Sequence, residues 1–193
     1  MKEILHMVVV LSVICSVSGV VLASLKQGTR AEIENQVLTY VQGPSLKNVF
    51  AEAQNDPIAE RKVFSFDDRK VTVFPVLRDG KLVGVAIEAY GNGYGGPLGV
   101  MVGFDLEKDR LAGIGMTTMS ETPGLGTQIT EPRFTAQFTG HVLKDGLALK
   151  SKGGDIDGIA GASYSCTGAV EAVRNAVALY LELEEQISAA WPG

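Results

Sequence analysis

The sequence has few basic residues and almost no cysteine, and both shortages exclude classes of protein. Its 193 residues carry 17 Lys and Arg against 22 Asp and Glu, which gives a formal net charge of -5 at pH 7. Proteins that bind nucleic acid need a basic surface, so we exclude that class. With two cysteines there is no cluster for an iron–sulfur centre, and no dinucleotide-binding fingerprint occurs.

The two cysteines are not predicted to pair with each other. Cys15 lies in a long apolar run, whereas Cys166 lies at the start of an amphipathic segment that belongs to a folded domain. We interpret Cys166 as a small buried residue in a first helical turn. Glycine and proline are scattered rather than clustered, and the length suits one globular domain with an accessory segment.

The longest apolar run covers Ile4–Leu25 and contains no formally charged residue. A helix needs about 20 such residues to cross the hydrocarbon core of a bilayer, so we predict a transmembrane anchor over residues 1–25. The alternative is a cleaved signal peptide, because Val21-Leu22-Ala23 resembles a small-residue cleavage site. The charges that flank the run are balanced and leave the side of the membrane undecided.

Residues 26–43 have apolar side chains at helical spacing, which predicts an amphipathic stalk helix that continues the anchor and stops at Gly43-Pro44. Residues 44–193 are the predicted folded domain. A short helix is predicted over Ser45–Ala53, with Ser45 as its N-cap.

The middle of the chain has the alternation and the turn residues of β-hairpins, which predicts an antiparallel sheet in an α+β domain. Four strands are predicted, in two pairs: Lys70–Leu77 with Lys81–Ala89, and Leu98–Phe104 with Leu111–Thr118. The stretch Gly91–Pro97 between the pairs is too rich in glycine for a strand. It is either a wide hairpin loop or a place where the backbone approaches a flat ligand.

The loop Ser120–Gly126 contains two glycines and one isolated leucine. It is either a turn with one hydrophobic plug, or a ring-contacting loop in which Leu125 covers an apolar face and Thr122 or the backbone hydrogen-bonds polar edges. A helix is predicted after it, over Thr127–Phe138, and a short strand over Leu147–Lys150. The motif Lys152-Gly153-Gly154 either brings an ammonium group near a phosphate or places a solvated lysine before a turn.

The stretch Asp157–Thr167 places small residues and hydroxyls directly before an apolar-periodic segment, Ala169–Ile187. The free N–H groups at the start of a helix favour an anion, so this stretch is a candidate phosphate-binding site. One of its hydroxyls could also be esterified by the phosphate. The alternative is an ordinary N-cap preceded by a turn. The helix that follows is predicted to pack across the sheet through one apolar stripe: Ala169, Val170, Val173, Ala176, Val177, Tyr180, Leu181 and Leu183.

Four features together resemble the RnfG/NqrC family of membrane-anchored FMN-binding subunits: the anchor, Gly-Tyr-Gly-Gly-Pro, Ser-Glu-Thr-Pro-Gly-Leu-Gly and Asp-Gly-Ile-Ala-Gly-Ala-Ser. The resemblance covers nearly the whole chain, whose compact length is closer to the RnfG branch. It implies a flavin attached through its phosphate to a hydroxyl, in a motif of the form Asp-Gly-x-Ser/Thr-Gly-Ala-Thr. Asp157, Gly158, Gly161 and Ala162 match this motif, and the acceptor position falls on Ser163.

The sequence departs from the motif at Ala160, where Ser or Thr is common, and at Ser163, where Thr is usual. Ser165 and Thr167 are the alternative acceptors. The resemblance also implies four residues that line the flavin site: Glu121, Thr122, Leu125 and Lys152. A flavin transferase of the ApbE type, which draws FMN from FAD, would make the bond. The implied location is the cytoplasmic (inner) membrane, with one span and the domain on the extracytoplasmic, periplasmic side.

The implied function is electron transfer through FMN in a membrane complex that moves electrons between ferredoxin and NAD and translocates Na+ or H+. This chain would bind neither ferredoxin nor NAD itself, and we expect no acid–base catalytic residue and no metal site. The nearest alternative is an NqrC-like subunit of a Na+-translocating NADH:quinone reductase. An alternative of another class is a membrane-tethered, non-redox binding module.

Overall fold

The computed structural model describes residues 2–50, 53–66, 69–143 and 147–191. It forms two compact units, Met1–Thr39 and Tyr40–Gly193. The division of the chain at residues 25 and 43 stays a prediction.

The N-terminal segment is a single long helix, α1, over Lys2–Gln36, followed by a π-helical turn over Val37–Gln42. Its stretch Lys2–Thr29 is long and apolar enough to cross a membrane. At 1.5 Å per residue these residues span about 40 Å, more than the roughly 30 Å of a hydrocarbon core. The helix continues past Leu25 without a break, as predicted for the stalk.

The predicted stop at Gly43-Pro44 is wrong, because helix α2 begins there and covers Gly43–Val49. Pro44 occupies the first turn of α2, a position at which helices tolerate proline. Ser45 is therefore not an N-cap. Its hydroxyl donates to the backbone oxygen of Met116 at 2.8 Å, which fastens α2 to the sheet. Residues 51 and 52, near the predicted end of this helix, lie outside the described residues.

The second unit contains a five-stranded antiparallel sheet in which each strand pairs with the next along the chain. The strands are β1 (Lys62–Phe66), β2 (Arg69–Arg78), β3 (Lys81–Asn92), β4 (Pro97–Asp105) and β5 (Arg110–Thr118). The four predicted strands are confirmed, and so is the turn at Asp79-Gly80, where both residues have positive φ. Strand β1 was not predicted, because its five residues give too short a pattern.

The predicted wide loop over Gly91–Pro97 is wrong, because β3 runs to Asn92 and β4 starts at Pro97. The connection is only residues 93–96. A Cβ at Gly91 would overlap the backbone oxygen of Gly168 in the C-terminal helix. The glycine in this strand therefore allows the helix backbone to approach the sheet closely.

The predicted helix over Thr127–Phe138 is divided into three short pieces: a 3-10 helix (Gly126–Thr130), helix α3 (Pro132–Thr135) and a 3-10 helix (Ala136–Phe138). Pro132 cannot donate to a preceding turn, so it starts a new one. The predicted strand Leu147–Lys150 is also wrong. Leu149 makes one isolated bridge with Ile156, and the chain then enters a 3-10 turn at Lys150–Lys152.

Helix α4 covers Ser163–Ala190 and packs against β3 and β4, as predicted. It begins six residues before the predicted apolar segment. The predicted stripe is buried except for Leu181, which lies on the exposed side of α4. Cys166 is buried in the first turns, as expected.

Candidate functional site

Ser163 is the first residue of α4, and its side chain is exposed. The N-cap position belongs to Ala162, which is buried and has no hydroxyl to cap the helix. The first intrahelical bond runs from the Cys166 N–H to the Ala162 oxygen at 2.9 Å. Gly161 turns the chain into the helix with φ of +82°, a conformation that favours glycine. The predicted ordinary hydroxyl N-cap is therefore wrong, and the Ser163 hydroxyl is accessible at the positive end of a helix.

Ser165 differs from Ser163 although only one residue separates them. Its side chain is 1% exposed, and its hydroxyl donates to Glu121 Oε2 at 2.6 Å. Because this hydroxyl is buried and already hydrogen-bonded, Ser165 is unsuited to be an alternative acceptor. Thr167 is half-buried, which makes it less accessible than Ser163.

The loop that carries Thr122 and Leu125 lies against the turn before α4. The Thr122 oxygen accepts hydrogen bonds from the N–H groups of Leu125 (3.2 Å) and Thr127 (3.3 Å), and these bonds close the loop. The Leu125 side chain is 45% exposed, so it is not a buried plug. A Cβ built on Gly161 would lie 3.3 Å from Leu125 Cδ1, which places this leucine beside the turn that precedes α4.

Two exposed tyrosines lie next to the same turn. Tyr94 is in the loop between β3 and β4, Tyr164 follows Ser163, and their ring centroids are 6.3 Å apart with an interplanar angle of 56°. The sequence patterns pointed to the glycines around Tyr94 but to neither tyrosine. The available indication was an aromatic residue directly after the acceptor position, in a motif otherwise made of small residues.

Glu121 lies behind this surface rather than on it. Its side chain is 7% exposed, and besides the Ser165 hydroxyl it accepts a longer bond of 3.4 Å from the Gly95 N–H. The carboxylate therefore connects the loop of Tyr94, the loop of Leu125 and the first turn of α4.

Asp157 is exposed at the start of the motif and is held by two side chains. Its carboxylate accepts from Lys150 Nζ at 2.7 Å. Its backbone N–H donates to Gln137 Oε1 at 2.6 Å, and its backbone oxygen accepts from Gln137 Nε2 at 3.3 Å. Lys152 is exposed and makes no ion pair with another described residue. The lysine that contacts the motif is Lys150, which the sequence patterns did not single out.

Cys166 contacts the motif from inside the domain. Its sulfur accepts from the Ile159 N–H at 3.3 Å, and burial raises the pKa of the thiol. A thiol held neutral and covered is a packing group, not a nucleophile. Within the described residues no group of three or more His, Cys, Asp or Glu side chains is placed to hold a metal ion.

The residues around Ser163 fit a phosphate joined to a flat ring. The exposed hydroxyl stands at a helix start, Gly161 leaves room beside Leu125, and the two tyrosines add exposed aromatic surface. FMN combines these two parts. Ala162, one of the matching motif residues, is buried and contributes by its small size.

Comparisons with known proteins point to the same part of the chain. The family model described as FMN-binding domain matches residues 93–178. The RnfG subunit of the ion-translocating oxidoreductase complex of Methanosarcina acetivorans is 29% identical over 91% of this chain and 94% of the relative. The corresponding protein of Stutzerimonas stutzeri is 32% identical over 68% of this chain and 61% of its own length.

Among solved structures, the NqrC subunit of the Na+-translocating NADH-quinone reductase from Parabacteroides distasonis matches with a TM-score of 0.51 and 25% identity, over 67% of this chain and 70% of that one. NqrC of Shewanella oneidensis has the same fold, with a TM-score of 0.53 and 21% identity over 72% of this chain and 73% of that one. The motifs, the fold and these similarities together establish that the chain belongs to the RnfG/NqrC family and contains an FMN-binding domain.

Proposed function

We propose that this protein is the electron-transfer flavoprotein subunit of an Rnf-type, ion-translocating membrane complex, and that its FMN is linked by a phosphoester to Ser163. The relatives named as RnfG subunits of an ion-translocating oxidoreductase complex support the Rnf assignment over the NqrC alternative. The solved NqrC structures support the fold of the domain.

The observation that carries the covalent link is the contrast between the two serines of the motif. Ser163 presents an exposed hydroxyl at the start of α4, whereas the Ser165 hydroxyl is covered and donates to Glu121. Serine has the same nucleophilic oxygen as the threonine usual at this position and lacks only its methyl group.

The attachment is a phosphoryl-group transfer in which no electron changes hands. The Ser163 Oγ forms a bond to the FMN phosphorus of FAD, the pyrophosphate bond breaks, and AMP leaves. The serine proton passes to solvent or to a base of the transferase. The partner implied is a flavin transferase of the ApbE type acting on the extracytoplasmic side, where α1 would hold the domain at the membrane.

Bound FMN supplies one- and two-electron redox chemistry, and the protein supplies position and electrostatics. Ser163 would hold the phosphate, and the helix start would favour its negative charge. Leu125, Tyr94 and Tyr164 offer apolar surface for the ring. Thr122 is exposed in the same loop as Leu125. We assign Lys152 and Asp157 to the polar edge of the proposed flavin site, where Lys150 neutralises the charge of Asp157.

The test is to produce the full chain together with a flavin transferase and to measure its mass after denaturation. We expect an increase of one FMN less one water in wild type and in Ser163→Thr, and no increase in Ser163→Ala. Ser165→Ala is the matched control and should retain the increase. Wild type without flavin would contradict the proposed function and favour a non-redox binding module. Flavin retained in Ser163→Ala would contradict the assignment of the acceptor.

A further inference from the structure

Glu121 is a buried carboxylate at the meeting point of three segments: residues 93–96, residues 120–126 and the first turn of α4. The Ser165 hydroxyl donates to one carboxylate oxygen at 2.6 Å, and the Gly95 N–H donates to the other at 3.4 Å. Each donor comes from a different segment, and Glu121 itself belongs to the third. One side chain therefore fixes the mutual position of all three.

The two loops are shaped around this carboxylate. A Cβ at Gly93 would overlap Glu121 Oε1, and a Cβ at Gly126 would lie 2.6 Å from Oε2 and 2.8 Å from the Ser165 hydroxyl. Any side chain at either glycine would displace the carboxylate or the loop. Gly93 and Gly126 are therefore needed to leave room for the Glu121 carboxylate, whether or not a ligand is bound.

The charge of Glu121 has no cationic partner among the described residues. A glutamine of nearly the same shape could keep both links without the charge, since its amide oxygen can accept from the Gly95 N–H and its amide nitrogen can donate to the Ser165 hydroxyl. A negative charge kept at this position is thus more than a structural link requires.

We propose that Glu121 is a positioning residue of the flavin site, an inference that rests on the function proposed above. It holds Tyr94, next to Gly95, and Leu125, next to Gly126, at a set distance from the acceptor Ser163. It does so from behind, through Ser165, without contacting the flavin. It also places a fixed negative charge beneath the turn that leads to Ser163. This charge makes the bound FMN harder to reduce.

The link that Glu121 makes between the three segments is tested first, by hydrogen exchange on full-length protein produced without the transferase. Glu121→Ala should raise amide exchange together in residues 93–96, residues 120–126 and the first turn of α4. Glu131→Ala is the matched control, because Glu131 is an exposed acid nearby in the chain that pairs with Arg133 at 3.0 Å. It should affect only its own surroundings. Unchanged exchange at residues 93–96 in Glu121→Ala would overturn the proposal.

The effect on the flavin is tested on the covalently loaded protein. Glu121→Gln keeps the shape, so we expect the wild-type mass increase but a higher midpoint potential, because a negative charge has been removed. Ser165→Ala keeps the charge and loses one donor, so we expect lower fluorescence anisotropy of the attached flavin. Glu131→Gln should change neither quantity.

A midpoint potential of Glu121→Gln equal to that of wild type would overturn the proposal, since a purely structural contact does not shift it. If wild type takes up no flavin, the proposed function fails instead. The exchange experiment still decides whether Glu121 joins the three segments.

Discussion

The two faces of the sheet are packed by different means. On one face, α4 lies against aliphatic side chains of the central strands: Val85, Ile87, Val100 and Val102. On the other face, α2 and the residue after it fit into gaps left by glycines. A Cβ at Gly84 would lie 2.8 Å from the Phe50 ring, and one at Gly115 would lie 3.0 Å from Ser45 Cβ.

Each face also has one carboxylate that joins separate segments. On the α2 face Glu88 is half-buried, and it accepts from Gln42 Nε2 at 2.6 Å and from the Thr117 hydroxyl. It fastens Gln42, the residue directly before α2, to the sheet. Glu121, near the start of α4, is buried and joins the loops of the candidate site. Attachment of Gln42 and α2 to the sheet and assembly of the candidate site thus depend on different carboxylates, and variants on the two faces should affect them independently.

The largest effect is expected for Gly91→Ala on the α4 face. The new Cβ would meet the backbone of Gly168, so α4 must shift, which should lower the free energy of unfolding by about 1–3 kcal/mol. Because Ser163 is part of α4, the yield of covalent FMN should fall as well. Urea unfolding and intact mass measure the two effects.

Gly103→Ala is the matched control on the α2 face, where the new Cβ would meet side-chain atoms of Val49 and Phe50. Side-chain ends can rotate away, so we expect a smaller loss of stability and an unchanged flavin yield. A larger loss than in Gly91→Ala would contradict the contrast between the two faces.

A smaller effect is expected for Glu88→Gln. Glutamine can keep its oxygen for the Gln42 amide and donate its own amide N–H to the Thr117 hydroxyl, but both bonds lose the charge of the carboxylate. We expect the free energy of unfolding to fall by about 1 kcal/mol. Flavin content and midpoint potential should stay at wild-type values, in contrast to Glu121→Gln. A shifted potential in Glu88→Gln would show that the two carboxylates are not functionally distinct.

The last effect is absent at neutral pH. It is a change in the free energy of unfolding at alkaline pH, caused by two tyrosines. Burial, followed by Glu184 and Asp109, raises the pKa of Tyr180 to about 12, and burial together with Glu88 raises the pKa of Tyr90 to about 12. The fold thus favours the neutral phenols. Their contribution to stability is complete below the ordinary tyrosine pKa of about 10 and is lost as the pH rises towards about 12.

Urea unfolding on either side of about pH 10 measures this loss. Tyr180→Phe should reduce the alkaline loss of stability more than Tyr90→Phe does, because Tyr180 is buried against Phe104 whereas water screens the half-exposed Tyr90. A larger effect of Tyr90→Phe would contradict this ranking.

Much of the fold was predictable from local pattern. The two hairpins follow from alternation and from turn residues such as Asp79-Gly80, and α1 and α4 follow from length and apolar spacing. Errors occurred where a distant segment decides the outcome. Gly91 continues a strand because α4 approaches there, and Gly43-Pro44 begins a helix because α2 packs on the sheet.

The assignment of the candidate site to FMN stays a prediction, but two of its parts could be recognised from local pattern. The acceptor motif and the Leu125 loop are visible in the chain as two groups of small residues, and the fold brings them together at Gly161. Three residues were missed: Lys150, Tyr94 and Tyr164. Nothing local distinguishes Lys150 from Lys152, and the exposure of the two tyrosines is set by the fold.

The sequence by itself determined that this protein has an apolar N-terminal helix, an antiparallel sheet and a motif of small residues with candidate hydroxyls, since length, periodicity and turn chemistry are local properties. Only the tertiary structure decided which of those hydroxyls is exposed and which is buried. Ser163 and Ser165 have the same chemistry and nearly the same place in the chain. They differ because the carboxylate of Glu121, 44 residues from Ser165 in sequence, covers and binds one of them and leaves the other exposed.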